Sequence, residues 1–180
     1  MNNGTRAQEL RRELQHDESV ALRRRRAIIG LSLVGMGSMA IVSAFQTGLL
    51  KHLPDPPLDR FRSDEVNSSD TAYHWGVPDG TISLAGHATN IVLAAYGRRD
   101  RALAEPWIPL AACAKAAAEA AVAVRYLFYE MPIVQKKWCG YCITDAVMHI
   151  GAFAFTLPEA RDAATRVRSE LVEARKEIAA

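Results

Sequence analysis

The sequence predicts an all-α fold: an integral membrane four-helix bundle with one long outer loop. Three observations predict it. Residues 27–50 (AIIGLSLVGMGSMAIVSAFQTGLL) carry no charge, and three further apolar stretches follow at 81–97, 107–129 and 139–157. The pieces between them are turn-rich or charged: His52-Leu53-Pro54-Asp55-Pro56-Pro57, Arg98-Arg99-Asp100-Arg101 and Met131-Pro132. Arginines gather at alternate ends of the stretches. Bulk composition adds little, since a hydrophobic fraction of 49% is ordinary for a soluble protein. A net charge of +2 over 180 residues gives no reason to expect a nucleic-acid partner.

Residues 1–26 form a charged N-terminal tail, helix-prone from Thr5 to Leu22. The first stretch, 27–50, is roughly 36 Å long as a helix at 1.5 Å per residue, enough to cross a hydrocarbon layer of about 30 Å with some tilt. A cleaved signal is the competing reading, with Arg23–Arg26 ahead of the apolar run and Val42-Ser43-Ala44 as the cleavage site. The run is about twice the usual signal core, and a charged tail precedes it, so a retained helix is expected. The loop 51–80 is acidic, with Asp55, Asp59, Asp64, Glu65, Asp70 and Asp79 against Lys51, Arg60 and Arg62. The second stretch (TISLAGHATNIVLAAYG) is short and uncharged apart from its histidine. The third (WIPLAACAKAAAEAAVAVRYLFY) is alanine-rich and interrupted by Lys115, Glu119 and Arg125. Lys115 and Glu119 stand at i, i+4 and are expected to pair along their helix and face inward. The fourth (CGYCITDAVMHIGAFAFTL) carries one acid, Asp145. Residues 158–180 make a second charged, helix-prone tail, so the bundle proper is expected over 27–157.

Arg23–Arg26, then Arg98, Arg99 and Arg101, then Arg161, Arg166 and Arg168 mark three regions as cytoplasmic under the positive-inside rule. Both termini then lie inside and the acidic loop outside a multi-pass cell-membrane protein. Lys136 and Lys137 fall on the outer side against the trend, outweighed by the arginines.

That topology places Trp138-Cys139-Gly140-Tyr141-Cys142 at the outer mouth of the fourth helix, facing a compartment where disulfides persist. A thioredoxin fold would set such a pair between a strand and a helix, and no alternating strand pattern stands near it. At a helix start, Cys139 feels the positive end of the helix dipole, with Lys136 and Lys137 beside it. Both favour the thiolate, the attacking species in disulfide exchange. Cys142, one turn on, is placed to form or resolve a disulfide with Cys139. Cys113, alone in the alanine-rich helix, reads as packing. Metal binding needs more ligands than one such pair supplies, and only His52 or His74 of the loop is available to add to it, so no metal site is expected.

Two stretches carry a resemblance. Trp138-Cys139-Gly140-Tyr141-Cys142-Ile143-Thr144-Asp145-Ala146 resembles the redox pair opening the fourth core helix of the vitamin K epoxide reductase family. Val66-Asn67-Ser68-Ser69, then Gly76-Val77-Pro78 and Gly86, is similar to that family's outer loop and following helix. The likeness covers roughly residues 28–157. It implies a membrane thiol-disulfide oxidoreductase that passes electrons from a partner thiol through the pair to a bound quinone (ubiquinone or menaquinone), supporting disulfide formation. By position, Cys139 would exchange with a thioredoxin-like or other outer-side thiol protein and Cys142 would face the quinone. Members usually carry a second cysteine pair in the outer loop, and residues 51–80 contain none. Direct exchange with the partner is therefore expected, with the acidic loop as docking surface or lid that steers basic partners. The alternative is a non-enzymatic membrane binding or assembly module on the same scaffold.

Cys142, Asp145 and His149 recur on one helical face, a stripe suited to relaying protons to a reduced quinone. His87 and Asn90 on the second helix are the other candidate quinone-binding residues, against ordinary interhelical hydrogen bonding. The family often has a tyrosine where this chain has Ala146, so a phenol contact must come from elsewhere.

Overall fold

A computed structural model describes residues 3–179, and the described residues are helical with no strand. The elements are α1 (Asn3–His16), α2 (Val20–Gln46), α3 (Ser63–Asn67), a 3₁₀ turn (Asp70–Tyr73), α4 (Asp79–Ala95), α5 (Arg101–Ala104), α6 (Trp107–Arg125) running on as a π-helix (Tyr126–Gln135), and α7 (Gly140–Ala179). Three of them, α2, α6 with its π extension, and α7, are long and apolar enough to cross a membrane. At 17 residues α4 is shorter, about 26 Å at the helical rise. α2 packs along α4 and α7, and α6 packs along α7. Their outward faces present Leu33, Val34, Val92, Val147 and Phe155, all exposed. Apolar surface of this extent is stable when it meets lipid rather than water. The all-α membrane bundle is therefore what the chain forms.

Several boundaries differ from expectation, each for a local reason. α2 begins at Val20, not at the apolar boundary near 27. The Ser19 hydroxyl accepts from the Leu22 amide, and the Ser19 amide donates to Asp17 Oδ1 at 2.6 Å, so the cap lies before the arginines. α4 ends where Gly97 takes φ +75°, the left-handed position after a helix C-cap. Met131-Pro132 is no turn: the chain carries on through it as a π-helix, and stops only at Lys136, a non-glycine residue at φ 55°. Proline has no amide to donate, and the wider π repeat accommodates its ring. α7 runs through Pro158 without a break.

The outer loop is built rather than loose. Asp55 accepts from the Ser63 amide at 2.7 Å and from its hydroxyl at 2.6 Å, fixing the start of α3. Asp64 accepts from the Leu53 amide at 2.7 Å and meets His52 Nδ1 at 2.6 Å. Leu53 is fully buried with Met39 and Val42 of α2. A two-residue bridge then pins the loop to the cysteine segment: the Trp138 amide donates to the Arg60 carbonyl at 2.8 Å, and the Arg62 amide to the Trp138 carbonyl at 2.9 Å.

The opposite end of the bundle is closed by charge. Arg25 of α2 and Arg101 of α5, 2% and 3% exposed, share the Glu159 carboxylate of α7. Arg25 also donates to the Gly97 carbonyl at 3.2 Å and the Arg98 carbonyl at 3.0 Å. α1 lies against the same connection, with Arg98 on Glu13 at 2.8 Å and Arg99 on Asp17 at 3.0 Å. It is docked rather than freely solvated, as a tail reading would have it.

Candidate functional site

Cys139 and Cys142 stand as a disulfide at the start of α7, Cα atoms 5.2 Å apart. A helix start places residue i and i+3 on one side, so the two sulfurs meet without distorting the chain. Val66 of α3 and Met131 of the π-helix, both fully buried, pack over the pair. The Cys142 amide donates to Cys139 Sγ at 3.1 Å, one of the unsatisfied donors of the helix start.

Asn67 reaches the pair from above. Its amide nitrogen donates to the Ser63 carbonyl at 2.8 Å and to Cys139 Sγ at 3.2 Å, while its Oδ1 lies 3.5 Å from Cys142 Sγ. Gln46 donates to the Asn67 carbonyl at 3.3 Å and to Asp79 Oδ1 at 2.7 Å, tying α2, α3 and the start of α4 into one buried seam. Sequence reasoning quoted Asn67 as part of a motif without giving it a role. Its signal was an amide side chain directly after Asp64-Glu65-Val66, readable only once α3 is known to lie on α7.

The two cysteines differ in surroundings. Cys139 has no exposure. Cys142 forms part of the wall of a cavity of about 430 Å³, and Cys139 does not. The cavity is lined by apolar side chains of α2, α4, α6 and α7 (Met39, Ile82, Val122, Ala123, Ala146) and by a few convergent polar groups: Asn67, Asp79, Ser83, Glu119, Tyr126, Asp145 and His149. Tyr126 brings a phenol to the cavity wall. Its hydroxyl is buried without a partner. The π-helix that begins at Tyr126 is the kind of local irregularity found at functional sites.

Of the four polar residues proposed from sequence, Asp145 and His149 line the cavity. His87 and Asn90 stand behind its wall. They nonetheless belong to one network. Ser83 donates to Asp145 Oδ1 at 2.7 Å and lies 2.9 Å from His149 Nε2, and His87 Nε2 lies 3.0 Å from the same Asp145 oxygen. Lys115 donates to Glu119 Oε1 at 2.5 Å, to Asn90 Oδ1 at 2.9 Å and to the Gly86 carbonyl at 2.8 Å. Asn90 donates to Glu119 Oε2 at 3.0 Å, and that oxygen is 3.5 Å from His149 Nδ1. The i, i+4 pairing of Lys115 with Glu119 thus turns inward as expected. Two glycines make the room: a Cβ at Gly35 would run into the His87 ring, and one at Gly86 into the Glu119 carboxylate.

His87 and His149 stack, ring centroids 3.9 Å apart and planes within 12°. With Asp145 they offer three ligand atoms within 4.8 Å of one another, the one such group of three among the described residues. It includes neither the cysteines nor His52 or His74. The in-plane lone pairs of parallel rings run side by side instead of converging on a point, so this arrangement suits proton exchange better than chelation. Two charged rings at that spacing would repel by about 4 kcal/mol at an effective dielectric constant of about 20.

The charges expected to activate Cys139 and steer partners are largely engaged. Lys137 pairs with Glu65, which also lies 4.0 Å from Arg62, and Asp64 is held by His52 and the Leu53 amide. Asp55, Asp64 and Glu65 hold the loop together before they face anything else.

A family model described as "Vitamin K epoxide reductase family" matches residues 26–157. A search of curated proteins finds no match.

Proposed function

From the premise that this chain belongs to the vitamin K epoxide reductase family, and so is in general terms a membrane thiol-disulfide oxidoreductase, we propose that it passes electrons from an outer-side thiol protein through Cys139 and Cys142 to a quinone. The observation that carries this reading is the division between the cysteines: Cys142 opens on the apolar cavity and Cys139 does not.

The cavity fits a quinone head group. Its volume of about 430 Å³ lies in the range of small-molecule sites, its walls are mostly apolar, and the unpartnered Tyr126 hydroxyl supplies a donor for a carbonyl. Tyr126 would hold the ring by a carbonyl, with Met39, Ile82, Val122 and Ala146 against its faces. When bound, the quinone supplies a two-electron acceptor. The chain's own residues do the rest. Asn67 holds Cys139 Sγ by its N–H and keeps its Oδ1 beside Cys142, so it stabilises a thiolate at Cys139 and can accept a hydrogen bond from a thiol at Cys142. α7's N-terminal dipole favours the same thiolate. Because Cys139 is fully covered, an incoming thiolate must displace the lid formed by residues 61–67, whose anchors are the Trp138 bridge and the Asp55 cap. The outer placement of this site and the cytoplasmic placement of both termini follow from the arginine distribution and are part of the proposal.

A second reading, a non-enzymatic scaffold, is favoured by two observations: the loop lacks the usual relay cysteines, and Cys139 is sealed. Purified protein with decylubiquinone and dithiothreitol separates the two. Quinone absorbance should fall with a rate proportional to protein and be lost in Cys142→Ser. No quinone reduction while Cys139 and Cys142 become reduced would sink the enzymatic reading.

A further inference from the structure

The polar network behind the cavity holds more than hydrogen bonds require. Ser83 has one proton and gives it to Asp145, so His149 Nε2, 2.9 Å from the same hydroxyl, is the donor in that contact. His87 Nε2, 3.0 Å from Asp145, is likewise a donor. Both Nε2 atoms therefore carry hydrogen, and the Nδ1 atoms decide the charge. Each is buried, on rings 0% and 6% exposed, and neither has a hydrogen-bond partner. His149 Nδ1 faces Glu119 Oε2 at 3.5 Å, longer than a formed hydrogen bond. A bare lone pair there would oppose a carboxylate, and one proton between the two atoms removes the conflict.

Charge balance asks for the same proton. The groups facing the stacked rings are Asp145 from α7, Lys115 and Glu119 from α6, and Ser83 and Asn90 from α4. Gly35 of α2 brings no charge. Asp79 and Arg125 sit further along the cavity wall, held by Gln46 and Glu130. Two carboxylates against one ammonium leave the cluster one positive charge short of neutral, and uncompensated charge inside a membrane bundle is costly. One protonated ring restores neutrality, and two would leave an excess charge and repel across the stack.

We infer that His87 and His149 share one exchangeable proton, held at the Nδ1 of His149 against Glu119, as a store for the cavity that Cys142 faces. The inference rests on the quinone reading above. Its stoichiometry closes: a partner dithiol becomes a disulfide and yields two electrons and two protons, and a quinone becoming a quinol takes up two of each. The store lends a proton on the cavity side and is refilled from those the thiols release. Its way out is the cavity, because the next layer of the bundle is the buried apolar group Ile28, Ala94 and Ala152, followed by the Arg25, Arg101 and Glu159 clasp.

The test uses full-length protein in detergent, first without quinone. Nitrogen-15 histidine NMR, with His87→Gln and His149→Gln to assign signals, should show one cationic imidazole for the pair across neutral pH. Glu119→Gln removes one of the two carboxylates, so the pair should become neutral. Two neutral rings in the unsubstituted protein, or two rings titrating independently, would overturn the store regardless of any quinone assay. With decylubiquinone, His149→Gln should slow quinone reduction by about 10²-fold at high pH and less at low pH, where bulk protons substitute. Reduction of Cys139 and Cys142 by dithiothreitol should be unchanged. Glu119→Gln, which keeps both rings but leaves the pair neutral, should show the same pH profile if His149→Gln folds poorly. A cationic pair with unaltered quinone kinetics in both variants would remove its role as a store. Failure of the unsubstituted protein to reduce quinone would overturn the quinone reading, and the store with it.

Discussion

Asn67 is the residue on which both cysteines converge, and its substitution separates chemistry from folding. Asn67→Ala removes the side-chain donor to Cys139 Sγ and to the Ser63 carbonyl, which keeps its helical bond from the Asn67 amide, a loss of about 1 kcal/mol of local stability. Asn67→Asp keeps the shape and replaces the N–H with an oxygen that repels a thiolate. The expected outcome is a raised thiol pKa at Cys139 in Asn67→Asp, read by the pH dependence of iodoacetamide labelling in reduced protein. Labelling profiles that coincide with the unsubstituted protein's would show that the contact does not tune the thiol. The ordering of the pair is tested separately. Cys142→Ser should accumulate a mixed disulfide between Cys139 and a thioredoxin-like partner, while Cys139→Ser accumulates little. The reverse pattern would invert the assignment.

Between elements, the energetics concentrate at the lid and at the clasp. Asp55→Ala removes two hydrogen bonds from the first residue of α3, worth about 1 kcal/mol for a helix start. That corresponds to roughly fivefold more lid opening. Reduction of the Cys139–Cys142 disulfide by dithiothreitol should accelerate by that factor, and an unchanged rate would mean that thiols reach the pair by another route. At the far end, Glu159→Gln leaves two buried guanidinium groups without their carboxylate. A cost of about 3–5 kcal/mol is expected, visible as a lowered unfolding temperature in detergent. The α1–α2 junction adds a pH-dependent contact. Hydrogen bonds from Ser19, with Arg99 adding to them, hold the Asp17 carboxyl below its ordinary value. A depressed carboxylate contributes fully above its unfolded value and loses that contribution as pH falls through its lowered folded value. Hydrogen exchange in α1 should therefore speed up in that acidic window, and the Asp17→Asn variant should lack the transition.

For the whole molecule, the arginine distribution fixes the orientation to be tested. A reporter fused after Pro78 should lie outside, and fusions after Arg101 or at the C-terminus inside. An outside C-terminus would move the cysteine pair to the cytoplasmic face and remove the basis for an oxidising partner. The bundle itself was legible because four apolar stretches and their charged connections are one-dimensional signals, and the family resemblance carried by Trp138–Ala146 and Val66–Ser69 agrees with the match over 26–157. The element ends were less legible. The caps at Ser19 and Gly97 override the apolar boundaries, and the passage through Pro132 depends on a π-helix that no periodicity announces.

The sequence by itself determined the class, the spans, the cysteine pair and the polar stripe of Asp145 and His149, because burial in lipid and helical spacing act on residues near one another in the chain. Only the tertiary structure decided which groups meet across it. Asn67 lies 72 positions from Cys139 in the chain and within 3.2 Å of its sulfur in space. Tyr126 reaches the cavity wall from the π-helix, and His87 stacks on His149 from a different helix. Lys137, read as an activator of Cys139, is drawn instead to Glu65 of the lid. Such pairings depend on the angle and depth at which helices pack, which spacing within one helix does not encode.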